Sequence, residues 1–170
     1  MKHWLMKSEP ESFGIDDLAR VKREPWTGVR NFQARNHMRA MSVGDPVLFH
    51  HSSVDPPGVA GLARVSKVGV VDETQFDPRS KYFDPTASRD EPRWDCVEVE
   101  FVEKLPSFVP LELMRATGAL ADMLLLRRGM RLSVQPVTPD EYKTIVKLGH
   151  AKPAAAPKPA AKPNAKARAR

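Results

Sequence analysis

A single cysteine, Cys96, stands in a chain of 170 residues. One thiol excludes an intramolecular disulfide framework and a cysteine-based zinc cluster, and it suits a reducing compartment. The expected location is therefore the cytoplasm. Long apolar runs are missing too: no stretch approaches the ~18 residues that a membrane-spanning helix needs, so no membrane is expected. Export is not expected, because the opening M-K-H-W-L-M-K-S-E-P-E sets acids and a proline where a signal peptide requires an unbroken apolar core. Catalytic signatures are missing as well. There is no G-x-S-x-G elbow, no G-x-x-x-x-G-K-[ST] loop, no G-x-G-x-x-G turn and no H-E-x-x-H helix. Cys96 falls in an alternating strand pattern, where a cysteine is more often a small buried hydrophobe than a nucleophile. His50 and His51 are neighbours on a strand pattern and so point to opposite faces, which keeps both from one metal ion. One of the two is expected to face the core or a pocket. The expectation is a non-enzyme with no cofactor and no metal.

What is present begins with charge. The formal net charge is +6, and all of it lies in residues 151–170. These read A-K-P-A-A-A-P-K-P-A-A-K-P-N-A-K-A-R-A-R, with four Lys, two Arg and no acid. Residues 1–150 hold 21 bases and 21 acids. A segment with four prolines and no large apolar residue cannot offset its ordering entropy. The expected organisation is one domain over residues 1–149 followed by a disordered basic tail over 150–170, which either solubilises the protein or makes salt-sensitive contacts with a polyanion. Inside the domain the charge is uneven: residues 20–39 carry a net +5, and residues 72–103 a net −6. Such a dipole could present one region to an anion, although charge runs are more often solvated faces.

Periodicity predicts strands over residues 3–7, 46–51, 58–71, 94–105 and 131–135, with helices over 15–21, 31–41, 110–117 and 141–148. The last helix opens on Thr138-Pro139-Asp140-Glu141, a capping box with proline at its first position. Residues 72–93 form a long polar stretch with an echo, Phe76-Asp77-Pro78 and Phe83-Asp84-Pro85, too few copies for a repeat architecture. No βαβ alternation is visible, so a small, highly curved β-sheet or barrel with helices packed at its ends is expected.

Three segments are richer in chemistry than packing requires. They are W-L-M-K-S-E-P (residues 4–10), W-T-G-V-R-N-F-Q-A-R-N (residues 26–36), and H-S-S leading to P-P-G and Gly61 (residues 51–61). Together they offer an aromatic plane, amides and guanidinium groups, the set that an unstacked base needs for its faces, its edge and its phosphate. The structural alternatives are equally concrete. A tryptophan beside a glycine is more often a core or turn plug. Asn and Ser near turns mostly satisfy backbone groups, and arginines four apart often form a solvated helix stripe.

These segments, together with Thr74-Gln75-Phe76-Asp77, Tyr82-Phe83-Asp84-Pro85, Arg93-Trp94 and Arg131-Leu132-Ser133-Val134, resemble the EVE domain family over residues 2–148. The resemblance implies an α+β, PUA-like fold, a strongly bent, mostly antiparallel β-barrel flanked by short α-helices, related to the ASCH and YTH modules. It also implies a binding module, in DNA or RNA, for nucleic acid carrying a modified base, notably 5-modified cytosine. It implies no cofactor or metal. By position it assigns Trp26, Asn31, Ser8, Lys7, Ser52, Pro57 and His51 to the base pocket, and Arg30, Arg35 and Arg39 to phosphate. Two positions depart from the family pattern. Thr27 stands where an Asp is usual, which removes an acceptor carboxylate. His50 stands where a Tyr or Phe is usual, which exchanges an aromatic surface for a titratable ring.

The expected mode is a monomeric reader that extrudes a nucleotide, at a cost of a few kcal/mol, and recovers about 1–3 kcal/mol by stacking it on Trp26. Already unpaired bases are therefore favoured. Two other classes remain open. One is an enzyme acting on a modified nucleotide or base, with Glu9, Asp16 or His51 as acid–base group. The other is a protein-interaction module using residues 72–93.

Overall fold

Alternation along two neighbouring strands sorts the apolar residues into two cores. In β1 (His3–Ser8) and β3 (Pro46–His51), Trp4, Met6, Val47 and Phe49 face one side of the sheet, while Leu5 and Leu48 face the other. The first side is covered by α1 (Ile15–Val21) and α2 (Phe32–Arg39) through Ile15, Leu18, Ala34 and Met38. The second is covered by α3 (Leu111–Arg115), a run of short turns, and α4 (Pro139–His150), through Met114, Leu120, Met123, Leu125 and Ile145. The structure is a computed structural model and describes residues 1–151; the basic tail expected over 150–170 lies outside them but for His150, which ends the last helix, and Ala151.

The remaining strands are β2 (Arg23–Pro25), β4 (Gly58–Val71), β5 (Asp95–Pro110) and β6 (Val134–Val137). They form one six-stranded sheet in the order β2-β5-β4-β3-β1-β6. Its end strands β2 and β6 do not pair with each other, so the expected barrel is an open, mixed sheet. β1 and β3 run parallel, and all other pairs are antiparallel. The parallel pair exists because α1, β2 and α2 together supply the crossover that a hairpin cannot. The bend comes from β4 and β5, whose pairing shifts register at four places. Gly61 sits at the first shift: a β-carbon there would lie 2.5 Å from Ile15 Cδ1 and 2.7 Å from the Glu103 carbonyl oxygen.

Several boundaries differ from the periodicity. β2 is three residues long and ends in proline, too short to register as a pattern. The strand expected over 131–135 is Val134–Val137, because its partner β1 offers paired positions only from His3 to Met6. β5 runs on to Pro110, where it pairs with Gly58. α4 extends from Pro139 to His150, and its capping box forms as read, with Thr138 and Glu141 each bonded to the other's backbone N–H. Cys96 is buried, and burial above all pushes its thiol up to about 12, so it remains protonated and unreactive.

Candidate nucleic-acid interface

The same alternation that builds the cores divides the K-S and H-H pairs. In the parallel register Lys7 lies beside His50, and Ser8 beside His51. Adjacent residues of a strand face opposite ways, so Lys7 and His50 emerge on the face of Leu5 and Leu48, and Ser8 and His51 on the face of Met6 and Phe49.

Lys7 and His50 look into a cleft of about 620 Å³. Ser52, Ser53 and Pro57 of the β3–β4 loop form one wall. Leu111 and Arg115 of α3, with residues 125–131, form the other. Arg115 Nη1 donates to the Leu126 carbonyl at 3.2 Å and ties that segment to α3. The segment then turns at Gly129, whose φ of +75° suits glycine, and leads through Arg131 to Ser133, whose carbonyl accepts from the Lys7 backbone N–H. The cleft therefore carries Lys7, Arg115, Arg127, Arg128 and Arg131, and no Asp or Glu lines it. Its apolar surface comes from Pro57, Leu111, Leu125, Leu126 and Met130.

His50 is 3% exposed, and neither ring nitrogen has a hydrogen-bond partner. Burial, then the nearby Lys7 and His51, push its pKa down to about 4, so the ring is neutral at pH 7. A neutral imidazole has one donor and one acceptor nitrogen. Burial also lowers the Lys7 pKa. His50→Phe is accordingly expected to stabilise the unliganded protein by about 1–3 kcal/mol, the cost of burying an unsatisfied polar group. It should also change the pH profile. The unfolded imidazole takes its proton near pH 6.5 and the folded one only near 4, so the unfolded state binds more protons between these values and stability falls as pH drops through them. Urea titrations across this range should show a shallower loss in His50→Phe; an unchanged slope would mean that His50 is not the group responsible.

Of the residues expected in the base pocket, Lys7, Ser52 and Pro57 come together in the cleft, joined by His50. The others sit elsewhere. The Ser8 hydroxyl donates to the Phe13 carbonyl, and His51 Nε2 accepts from the Ile15 backbone N–H at 3.1 Å, so both anchor the start of α1. Asn31 caps α2, accepting from the Ala34 N–H at 3.0 Å. Trp26 is 8% exposed in the core, edge-on to Phe49 with ring centroids 5.5 Å apart, and Phe49 in turn meets His51. Thr27 is exposed, and the next N–H, of Gly28, is taken by Asp72 Oδ2 at 2.8 Å.

The arginines assigned to phosphate are engaged with protein. Arg30 donates to Asp72, Thr74 and the Tyr82 carbonyl. Arg39 pairs with Asp95 at 2.6 Å. Arg35 donates to the Arg93 carbonyl at 2.8 Å and lies over the Phe32 ring. Besides Lys7, the cationic residues of the cleft come from Arg115 and residues 127–131. The motif R-R-G-M-R-L-S carried that signal: three arginines around a glycine turn in a segment with no nearby acid. Among the described residues no cluster of three or more His, Cys, Asp or Glu side chains is placed to hold a metal ion.

The EVE domain family matches residues 2–148. Thymocyte nuclear protein 1 of Homo sapiens is 40% identical over 170 residues, covering 89% of this chain and 75% of that protein. A hypothetical protein from Leishmania major superposes with a TM-score of 0.84 at 48% identity, over 88% of this chain and 94% of that one. The human THYN1 protein, solved in complex with 5-methylcytosine-containing DNA, superposes with a TM-score of 0.84 at 38% identity, over 90% of this chain and all of that one. The open mixed sheet with its four short helices is thus an α+β, PUA-like fold. The chain belongs to the EVE domain family.

Proposed function

We propose that the protein is a non-catalytic binding module that holds one modified base of a nucleic acid, with 5-modified cytosine favoured, in the cleft between the β3–β4 loop and residues 125–131. The observation that carries this reading is a cleft ringed by five cationic side chains and no carboxylate, with a buried imidazole whose two nitrogens lack partners. The relative solved with 5-methylcytosine-containing DNA supports the choice of ligand. Phosphates meet Arg127, Arg128 and Arg131, which fix register without reading sequence. His50, Ser52 and Ser53 satisfy the base edge. Pro57, Leu125 and Leu126 take an apolar substituent such as a 5-methyl group. The cleft has no aromatic ring besides the imidazole, so little stacking energy offsets extrusion, and unpaired bases bind best.

The domain acts as a monomer, in the cytoplasm, with neither metal nor cofactor. Against the enzyme reading, all three groups are engaged in structural bonds: Asp16 pairs with Lys104, His51 accepts from the Ile15 backbone N–H, and Glu9 accepts from the Ser53 hydroxyl. A panel of single-stranded and duplex oligonucleotides with different modified cytosines, each at two salt concentrations, tests the proposal. Arg127→Ala and Arg131→Ala should each weaken binding about tenfold and reduce the salt slope by about 1. Equal affinity for modified and unmodified strands in the parent protein would remove the reader function. Product formed from a modified nucleoside would restore the enzyme.

A further inference from the structure

A second surface, on the opposite side of the sheet, has its own chemistry. Phe32 opens α2 and is 48% exposed, one of the most exposed large apolar side chains of the domain. Its ring is stacked on Trp94, centroids 4.8 Å apart and planes 19° from parallel. Trp94 is fixed from below: it is 5% exposed, its indole N–H donates to Asp84 at 2.8 Å, and the Arg30 guanidinium lies 5.1 Å from its ring. Two further guanidinium groups flank Phe32, that of Arg35 at 4.7 Å from the ring centroid and that of Arg93 at 5.5 Å. Arg35 is held by the Arg93 carbonyl and Asn36, and Arg93 by Thr86, yet neither forms an ion pair among the described residues. The carboxylates nearby are engaged elsewhere, Asp95 with Arg39 and Asp84 with Trp94 and Thr86.

A rigid, half-exposed aromatic plane between two cations that form no ion pair among the described residues matches an unpaired base and its adjacent phosphates. Every base has a π-face, so such a platform is tolerant of sequence. Burying the exposed half of Phe32 against another protein would instead leave Arg35 and Arg93 desolvated and unpaired, which is costly. We propose that Phe32, Arg35 and Arg93 form a second nucleic-acid contact, a stacking platform for single-stranded nucleic acid without preference for base modification. It does not depend on the cleft. α2 covers the Met6–Phe49 face of the sheet, whereas Lys7 and His50 open on the other.

The test uses the full chain and an unmodified oligothymidylate, which offers the cleft no modified base. Phe32→Ala should weaken binding by about 5- to 150-fold, the usual worth of one base stack, and Phe32→Trp should restore it. Arg35→Gln and Arg93→Gln should each lower the single-strand salt slope by about 0.7. A second measurement avoids substitution altogether: photocrosslinking of the parent protein to a 5-iodouracil strand should place the adduct on Phe32. Adducts confined to residues 125–131 or to the basic tail, or a folded Phe32→Ala that binds as the parent does, would overturn the platform. Discrimination between modified and unmodified strands that survives in Phe32→Ala leaves the cleft proposal standing alone. Displacement of oligothymidylate by an acidic peptide as readily as by single-stranded DNA would show a protein surface instead, and likewise overturn it.

Discussion

Trp26→Ala is expected to lose about 3–5 kcal/mol of folding stability, the range for removing a large aromatic side chain from a core. The indole is 8% exposed and packed edge-on against Phe49, in the same cluster as Met6, Ile15 and Leu18. Its backbone N–H bonds the Val97 carbonyl at 2.8 Å, so the residue also ties the start of the 26–31 loop to β5. Truncation would open a void between α1 and the sheet that the surrounding strands cannot close. Trp94→Ala belongs to the same class, since Trp94 is 5% exposed and loses its contacts with Phe32 and Asp84 together. Denaturant titration of the two variants should give similar losses. The contrary result is specific: a Trp26→Ala protein of parental stability that no longer separates modified from unmodified strands would make Trp26 a base platform, as the resemblance implies.

Why the sequence showed the fold better than the site follows from the same residues. Alternation over 3–7 and 94–105, and the apolar β-rich runs over 46–51 and 58–71, mark buried strands, and burial is what builds a sheet. The strands therefore emerged nearly in place. Such patterns do not report which buried aromatic is core and which lines a cleft, because Trp26 beside Gly28 satisfies both descriptions. The division of Lys7 from Ser8, and of His50 from His51, was open to the period-2 rule, which already set His50 and His51 on opposite faces. Which of the two faces held the cleft depended on the packing of residues 111–131, and short turns have no period. The arginines were the hardest to assign. Arg30, Arg35 and Arg39 look like a phosphate-binding stripe in a helix-rich segment, but their partners Asp72, Arg93 and Asp95 lie more than 40 residues away. The acidic run over 72–103 is the other half of that arrangement. Its excess charge partly answers the basic segment across the fold, and Gln75 fixes it in place by bonding the backbone of Asp72, Arg93 and Trp94.

Arg30→Ala is expected to cost about 3–5 kcal/mol, because it removes one partner of a buried pair and leaves the other. Asp72 has a side chain 2% exposed, against 22% for Arg30, and the two meet at 3.0 Å. Burial alone would push the Asp72 carboxyl up. The Thr74 hydroxyl, the Gly28 N–H and Arg30 outweigh it and hold the pKa below its usual 3.8. That stabilisation is present above the unfolded value and is lost as pH falls through the folded one. Without Arg30 the carboxylate keeps two hydrogen-bonding neighbours but loses its counter-charge, and its pKa should rise. Arg30 also donates twice to the Tyr82 carbonyl and once to Thr74, so the 72–93 segment should loosen as well. Arg30→Lys should recover only part of the loss, since an ammonium cannot reproduce the planar fork. The double variant Arg30→Ala/Asp72→Ala should be less destabilised than the sum of the two single ones, the signature of a coupled pair. Denaturation midpoints with hydrogen exchange over residues 72–93 check these outcomes. An Arg30→Ala protein with parental stability, protected 72–93 amides and a shallower salt slope for nucleic acid would instead make Arg30 a phosphate contact.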